Sequence, residues 1–154
     1  MKQWSGLQAV IIGGSIAAAL DILFAISFAA YNGLPPARLL QTVASGLLGN
    51  AAFSGGNPTA ALGLALHFVM SYLWATLFLT FARFATATIH RPMLTALLFG
   101  IVVLLTMRLV VLPLSAFPRP VTFRPFANFM DLMSHVFFFA APIVFAVRKA
   151  LVRT

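Results

Sequence analysis

Four stretches of the chain stay apolar for about 20 residues or more, the length needed to cross a hydrocarbon core roughly 30 Å thick. They run from about Leu7 to Tyr31, Pro58 to Phe84, Pro92 to Ala116 and Ala127 to Ala150. Pro58 and Pro92 sit near helix starts, where a missing N–H costs little. The reading is an all-α integral membrane protein of four transmembrane helices. Composition agrees: 62% of residues are hydrophobic and only 8% charged, whereas soluble domains carry about a quarter charged residues. Four spans account for residues 1–154 as a single membrane domain, with no room for a soluble module.

The links between spans carry their own signals. Pro35-Pro36 stops the first helix, and Leu39 to Gly49 reads as a short helix with one apolar face. It is too short and too rich in glycine to cross, so it is expected at the interface or shallowly re-entrant between spans 1 and 2. Asn50 to Asn57 is a turn segment. Pro118, Pro120 and Pro125, with Arg119 and Arg124, make a stiff loop between spans 3 and 4. No internal repeat of the kind common in secondary transporters is present. The first span begins like a signal peptide, but Asp21 interrupts the run and no cleavage site precedes a soluble domain, so it is expected to stay uncleaved.

The net charge of +8 is not a nucleic-acid footprint. Lys2, Arg83, Arg91, Arg148, Lys149 and Arg153 flank apolar runs, as topology signals do, and no basic groove with interleaved stacking aromatics is present. With both termini on the cytoplasmic side, that side holds these six basic residues, against three (Arg38, Arg119 and Arg124) on the other. The bias predicts a multi-pass protein of a bacterial inner (cytoplasmic) membrane with both termini inside, whose partner is the lipid bilayer. Cysteine is absent, which excludes disulfides, iron–sulfur clusters and thiol catalysis.

Against this background, five ionisable residues lie inside the spans: Asp21, His67, Arg108, Asp131 and His135. Such residues are expensive in lipid and pair, line a wet cavity or carry function. At 1.5 Å per residue, Asp21 lies roughly 15 Å from its helix end and His67 about 14 Å. Arg108 and His135 lie about 12 Å deep and Asp131 about 6 Å. All four helices thus contribute to one polar layer in the outer half of the bilayer. Asp131 and His135 share a helix face at i,i+4, as do His67 and Ser71. Pro113 and Pro142, inside spans 3 and 4, are candidates to kink their helices and free a carbonyl for this layer. The stretch Gly13-Gly14-Ser15-Ile16-Ala17-Ala18-Ala19 suits close helix packing. It lacks the Lys-Ser/Thr ending of a phosphate loop.

At these positions the chain resembles the YagU-like family of bacterial inner-membrane proteins, whose function is unknown. The resemblance rests on Gly14 to Asp21, Leu34-Pro35-Pro36, His67-x-x-x-Ser71, Arg108-x-x-x-x-Pro113-Leu114, and Asp131-x-x-x-His135 followed by Phe137-Phe138-Phe139. It implies a four-span inner-membrane fold with an acid and a histidine four residues apart in the last span. The chain departs from the family pattern in lacking a basic residue near Asp21 and in carrying arginine, not histidine, at position 108.

Three functions compete. A path or sensor for protons or a small solute would use the two histidines beside carboxylates, or Arg108 as an anion receptor. Four short spans without repeats would then work as a homo-oligomer or within a larger membrane complex. A structural or accessory subunit would need the same charges only to pair across helices. A redox module would use His67 and His135 as axial haem ligands. His67, His135 and Asp131 are also chemically competent for zinc or iron, but no compact ligand motif accompanies them. Ser71, Ser115 and Ser134 lie near histidines without a Gly-x-Ser-x-Gly elbow, so the expected role is non-enzymatic. No cofactor or metal is predicted.

Overall fold

The computed structural model describes residues 4–120 and 122–152. Lys2 and Arg153, two of the residues used to orient the spans, lie outside this range. The described residues form helices and contain no strand. Helix α1 is Gly6–Tyr31 and α2 is Pro36–Leu48; a 3-10 turn over Gly49–Phe53 leads to α3, Gly56–Phe84. The short α4, Ala87–His90, joins α3 to α5, Pro92–Leu114, and α6 is Pro125–Leu151. Helices α1, α3, α5 and α6 are each long and apolar enough to cross a membrane. Their bounds fall within about two residues of those expected from the sequence.

Local signals explain where the elements start and stop. Ser5 caps α1: the Gln8 backbone N–H donates to Ser5 Oγ (3.1 Å), and the Ser5 N–H donates back to Gln8 Oε1 (2.9 Å). This reciprocal box satisfies two of the backbone donors that a helix start leaves open. Gly33, at φ +79°, takes the left-handed conformation that ends α1, and Pro36 then opens α2 at a position that needs no N–H. Proline opens α5 and α6 in the same way.

The four long helices alternate in direction. The start of α1, the end of α6 and α4 therefore lie at one end, called here the terminal end. The α1–α2 link, the 3-10 turn and the loop before α6 lie at the other, the loop-rich end. Helix α6 is central: it packs on α1, on α5 and, along its C-terminal half, on α3. The core follows this arrangement, with Ile143, Val144 and Val147 of α6 buried against Ala75, Phe78 and Val103. The outward faces carry large apolar side chains such as Leu23, Val69, Leu73, Phe81, Leu98, Val102 and Phe137, as a lipid-facing surface requires.

Small residues set how closely the helices approach. A Cβ on Gly13 would stand 2.6 Å from the Ala146 Cβ, and one on Gly14 would stand 2.8 Å from Tyr72. The glycine–alanine stretch expected to pack closely thus meets α6 on one side and α3 on the other. Helix α2 lies against the first turns of α3, where Gly63 admits the Leu40 carbonyl so closely that a Cβ would collide with it. Gln41 Nε2 donates to the Gly56 carbonyl at 3.0 Å and fixes the same contact. The Phe run divides by face: Phe139 is buried, Phe137 faces outward, and Phe138 packs on Phe24. At the terminal end Lys149 Nζ stands 4.2 Å from the centroid of the Trp4 ring, a cation held on an aromatic face.

Candidate functional site

Two departures from regular α-helix shape the site. Met107–Val111 in α5 and Ser134–Ala140 in α6 are π-helical. Each lies just before a proline, Pro113 or Pro142. Proline has no N–H, and its ring crowds the carbonyl four residues back. The widened turns relieve this with i→i+5 bonds: Leu112 N–H donates to the Met107 carbonyl, and Ala141 N–H to the Val136 carbonyl. Arg108 sits on the first π segment and Ser134 and His135 on the second. Such bulges recur at functional sites because they redirect side chains that a regular helix would aim elsewhere.

The five intramembrane ionisable residues line one cavity of about 460 Å³. Helix α1 contributes Asp21, α3 His67, α5 Arg108, and α6 Asp131 and His135. Leu39 and Val43 of α2 wall it towards the loop-rich end, with Phe117, Arg119 and Pro120 of the last loop. Ile22, Met70, Trp74, Val103, Met107 and Phe139 supply an apolar and aromatic surround.

Within the cavity the charges form two groups. In the first, Arg108 makes a forked contact with one carboxylate oxygen: Nη2 to Asp131 Oδ2 is 3.1 Å and Nε to the same atom is 3.3 Å. The other oxygen, Oδ1, lies 3.2 Å from His135 Nδ1. That nitrogen also donates to the Asp131 carbonyl at 2.9 Å, so it carries the proton. The i,i+4 pair is therefore joined twice, through side chain and backbone. In the second group, buried Asp21 accepts a short hydrogen bond from Ser134 Oγ. Asp21 Oδ2 lies 3.8 Å from His67 Nε2, which donates to the Ala18 carbonyl at 3.1 Å. Among the described residues, Arg108 pairs with the Asp131 carboxylate and not with Asp21, which has only His67 as a potential cation within 4 Å.

This difference matters chemically. Arg108 is a permanent cation 3.1 Å from Asp131, so an ionised Asp131 has its counter-charge within the protein. The Asp21–His67 pair is neutral only if it holds one proton between them. Because His67 Nε2 and His135 Nδ1 both face carbonyls, the opposite nitrogen of each neutral ring is an acceptor. No hydrogen bond from the described residues reaches His67 Nδ1 or His135 Nε2.

Ser71, grouped with His67 by its spacing, does not line the cavity. Its Oγ donates to the Gly14 carbonyl at 2.7 Å, fully buried between α1 and α3. His67 and Ser71, four residues apart on α3, thus meet Ala18 and Gly14, four apart on α1. The Ser15–Tyr72 hydroxyl contact at 2.9 Å extends this polar seam. Ser134, considered from sequence only as a nucleophile, serves Asp21 instead. Trp74 and Arg119 were not anticipated as lining residues. Trp74 had a readable signal, since it lies two turns from His67 on one helix face. Its indole Nε1 is buried and meets no hydrogen-bond partner among the described residues. Among the described residues no group of three or more His, Cys, Asp or Glu side chains is placed to hold a metal ion.

The fold and the site define an all-helical multi-pass membrane protein with a charged cavity between its spans. Comparison with protein-family models, curated proteins and solved structures yields no match for the chain.

Proposed function

We propose that this protein passes or senses protons, or a small solute coupled to them, through the cavity around Asp21 and His67. The observation that carries the reading is the unequal charge balance of the two carboxylates. Asp131 has a fixed counter-charge in Arg108, whereas Asp21 has His67, 3.8 Å away, which is a cation only when it takes up a second ring proton. A lone carboxylate in a membrane interior is costly, so gain and loss of that proton are coupled to whatever else enters the cavity. A volume of about 460 Å³ lies within the usual range for small-molecule sites. The setting proposed is a bacterial inner membrane, with both termini cytoplasmic and the cavity in the outer half. The motif resemblance to the YagU-like family is part of the same proposal. Assembly as a homo-oligomer or in a larger complex would supply the second gate that four short spans lack.

A structural or accessory role is the second reading, and the closed Arg108–Asp131–His135 group favours it, because every charge there is paired within the protein. The bis-histidine haem reading is weaker: His67 Nε2, the nitrogen that would be offered to iron, is engaged by Ala18.

The test is proton flux into liposomes under an imposed pH gradient. Wild type should exceed empty liposomes, His67→Gln should abolish the excess, and His135→Gln should reduce it. Equal, negligible flux in all three sinks the proton-path reading and leaves the accessory role.

A further inference from the structure

A second charged feature lies at the loop-rich end, at the mouth of the cavity. Arg38, in the first turn of α2, places its guanidinium 4.3 Å from the centroid of the Phe53 ring. Arg119, in the loop before α6, stands 4.9 Å from the centroid of the same ring. Two cations thus share one aromatic side chain. The arrangement is built into the fold: Arg38 Nη1 donates to the Phe53 carbonyl at 3.1 Å. The Ala116 N–H donates to the Gly46 carbonyl at 2.9 Å and ties the loop carrying Arg119 to the end of α2.

Like charges brought together need an anion nearby or strong hydration. This chain cannot supply the anion. It has only two acidic residues, Asp21 and Asp131. Both lie within the cavity, one bonded to Ser134 and close to His67, the other bonded to Arg108. Neither arginine of the pair has a carboxylate within 4 Å among the described residues. Arg38 gives Nη1 to the Phe53 carbonyl, and the remaining N–H groups of the two guanidiniums are the kind of donor that matches a phosphate. Each arginine is attached to a different segment, so an anion bound by both would join α2 to the last loop.

We infer that Arg38 and Arg119, held on Phe53, form a binding site for a phosphate-bearing anion at the loop-rich surface. The phosphate comes either from the headgroup of an anionic phospholipid or from a soluble phosphate compound. This inference is independent of proton passage, because it uses no residue of the Asp21–His67 pair.

The experiment places the full-length protein in phosphatidylcholine nanodiscs and titrates in phosphatidylglycerol, reading bound lipid by native mass spectrometry. A parallel titration uses glycerol phosphate in solution. Arg38→Gln and Arg119→Gln should each weaken binding by about tenfold, roughly 1.4 kcal/mol. Arg38→Lys should weaken it less, because it keeps the charge and loses the fork. Arg148→Gln, at the terminal end, should leave it unchanged. Thermal unfolding of each variant in detergent separates lost binding from lost folding, and the lysine variant keeps the test open if a glutamine variant fails to fold. Loss confined to phosphatidylglycerol identifies a lipid site, and loss with glycerol phosphate as well identifies a general phosphate site. Equal binding by wild type and both glutamine variants, or no binding to any of them, overturns the inference.

Discussion

At the scale of single residues, the partner of each charge decides the cost of losing it. Arg108→Gln would leave Asp131 a carboxylate with only His135 beside it. Orphaning one member of a buried ion pair costs roughly 3–5 kcal/mol. Here the lower end applies, because 34% of the Asp131 side chain is still exposed to the cavity. Arg108→Leu combined with Asp131→Leu removes both charges and should cost less than Arg108→Gln alone, by the logic that makes paired apolar replacements tolerable. Thermal unfolding in detergent, run as a double-mutant cycle, reads the coupling; additive losses would show that the pair does not act as a unit. The residue types and their common layer were visible in the sequence. Their pairing was not: Asp21 and Asp131 were equivalent candidates for Arg108 until the packing of α5 on α6 put Arg108 beside Asp131.

At the scale of elements, two glycines decide how close the helices come. A Cβ on Gly100 would stand 2.8 Å from Val136 Cα and 2.9 Å from the His135 carbonyl, against the backbone of the π segment. Gly63 meets the Leu40 carbonyl in the same way. Intrinsic helix propensity favours alanine over glycine by about 1 kcal/mol, so packing and propensity oppose each other at both sites. Backbone atoms cannot rotate aside, and overpacking of this kind costs about 1–3 kcal/mol. Gly63→Ala and Gly100→Ala should therefore both lower the unfolding temperature, while Gly33→Ala, with nothing within 4 Å, tests backbone strain alone. Unchanged stability in the first two would mean that α2 and α5 sit further from their neighbours. Span positions, Pro113, Pro142 and the Gly13–Ala19 stretch could be read from sequence. Which helices touch could not, because a helix apolar on every side shows no periodic face to assign. The π segments were legible only as a proline effect.

For the whole molecule, charge placement sets the orientation in the bilayer. Among the described residues, Arg83, Arg91, Arg148 and Lys149 lie towards the terminal end and Arg38, Arg119 and Arg124 towards the loop-rich end. Basic residues near span ends are retained on the cytoplasmic side, which predicts the terminal end inside. If Arg38 and Arg119 hold a phosphate, their charge is partly met at the loop-rich surface and opposes the bias less. The absence of cysteine makes this directly testable, since any thiol introduced is the sole thiol in the chain. Ala37→Cys, exposed at the loop-rich end, should react with a membrane-impermeant maleimide in intact spheroplasts. Ala87→Cys, exposed between α3 and α5, should react only after the membrane is opened. The reverse pattern would invert the protein and place the Asp21–His67 pair in the inner half of the bilayer. Labelling of both positions in intact cells would mean two opposed populations, and the cavity would then face both sides of the membrane.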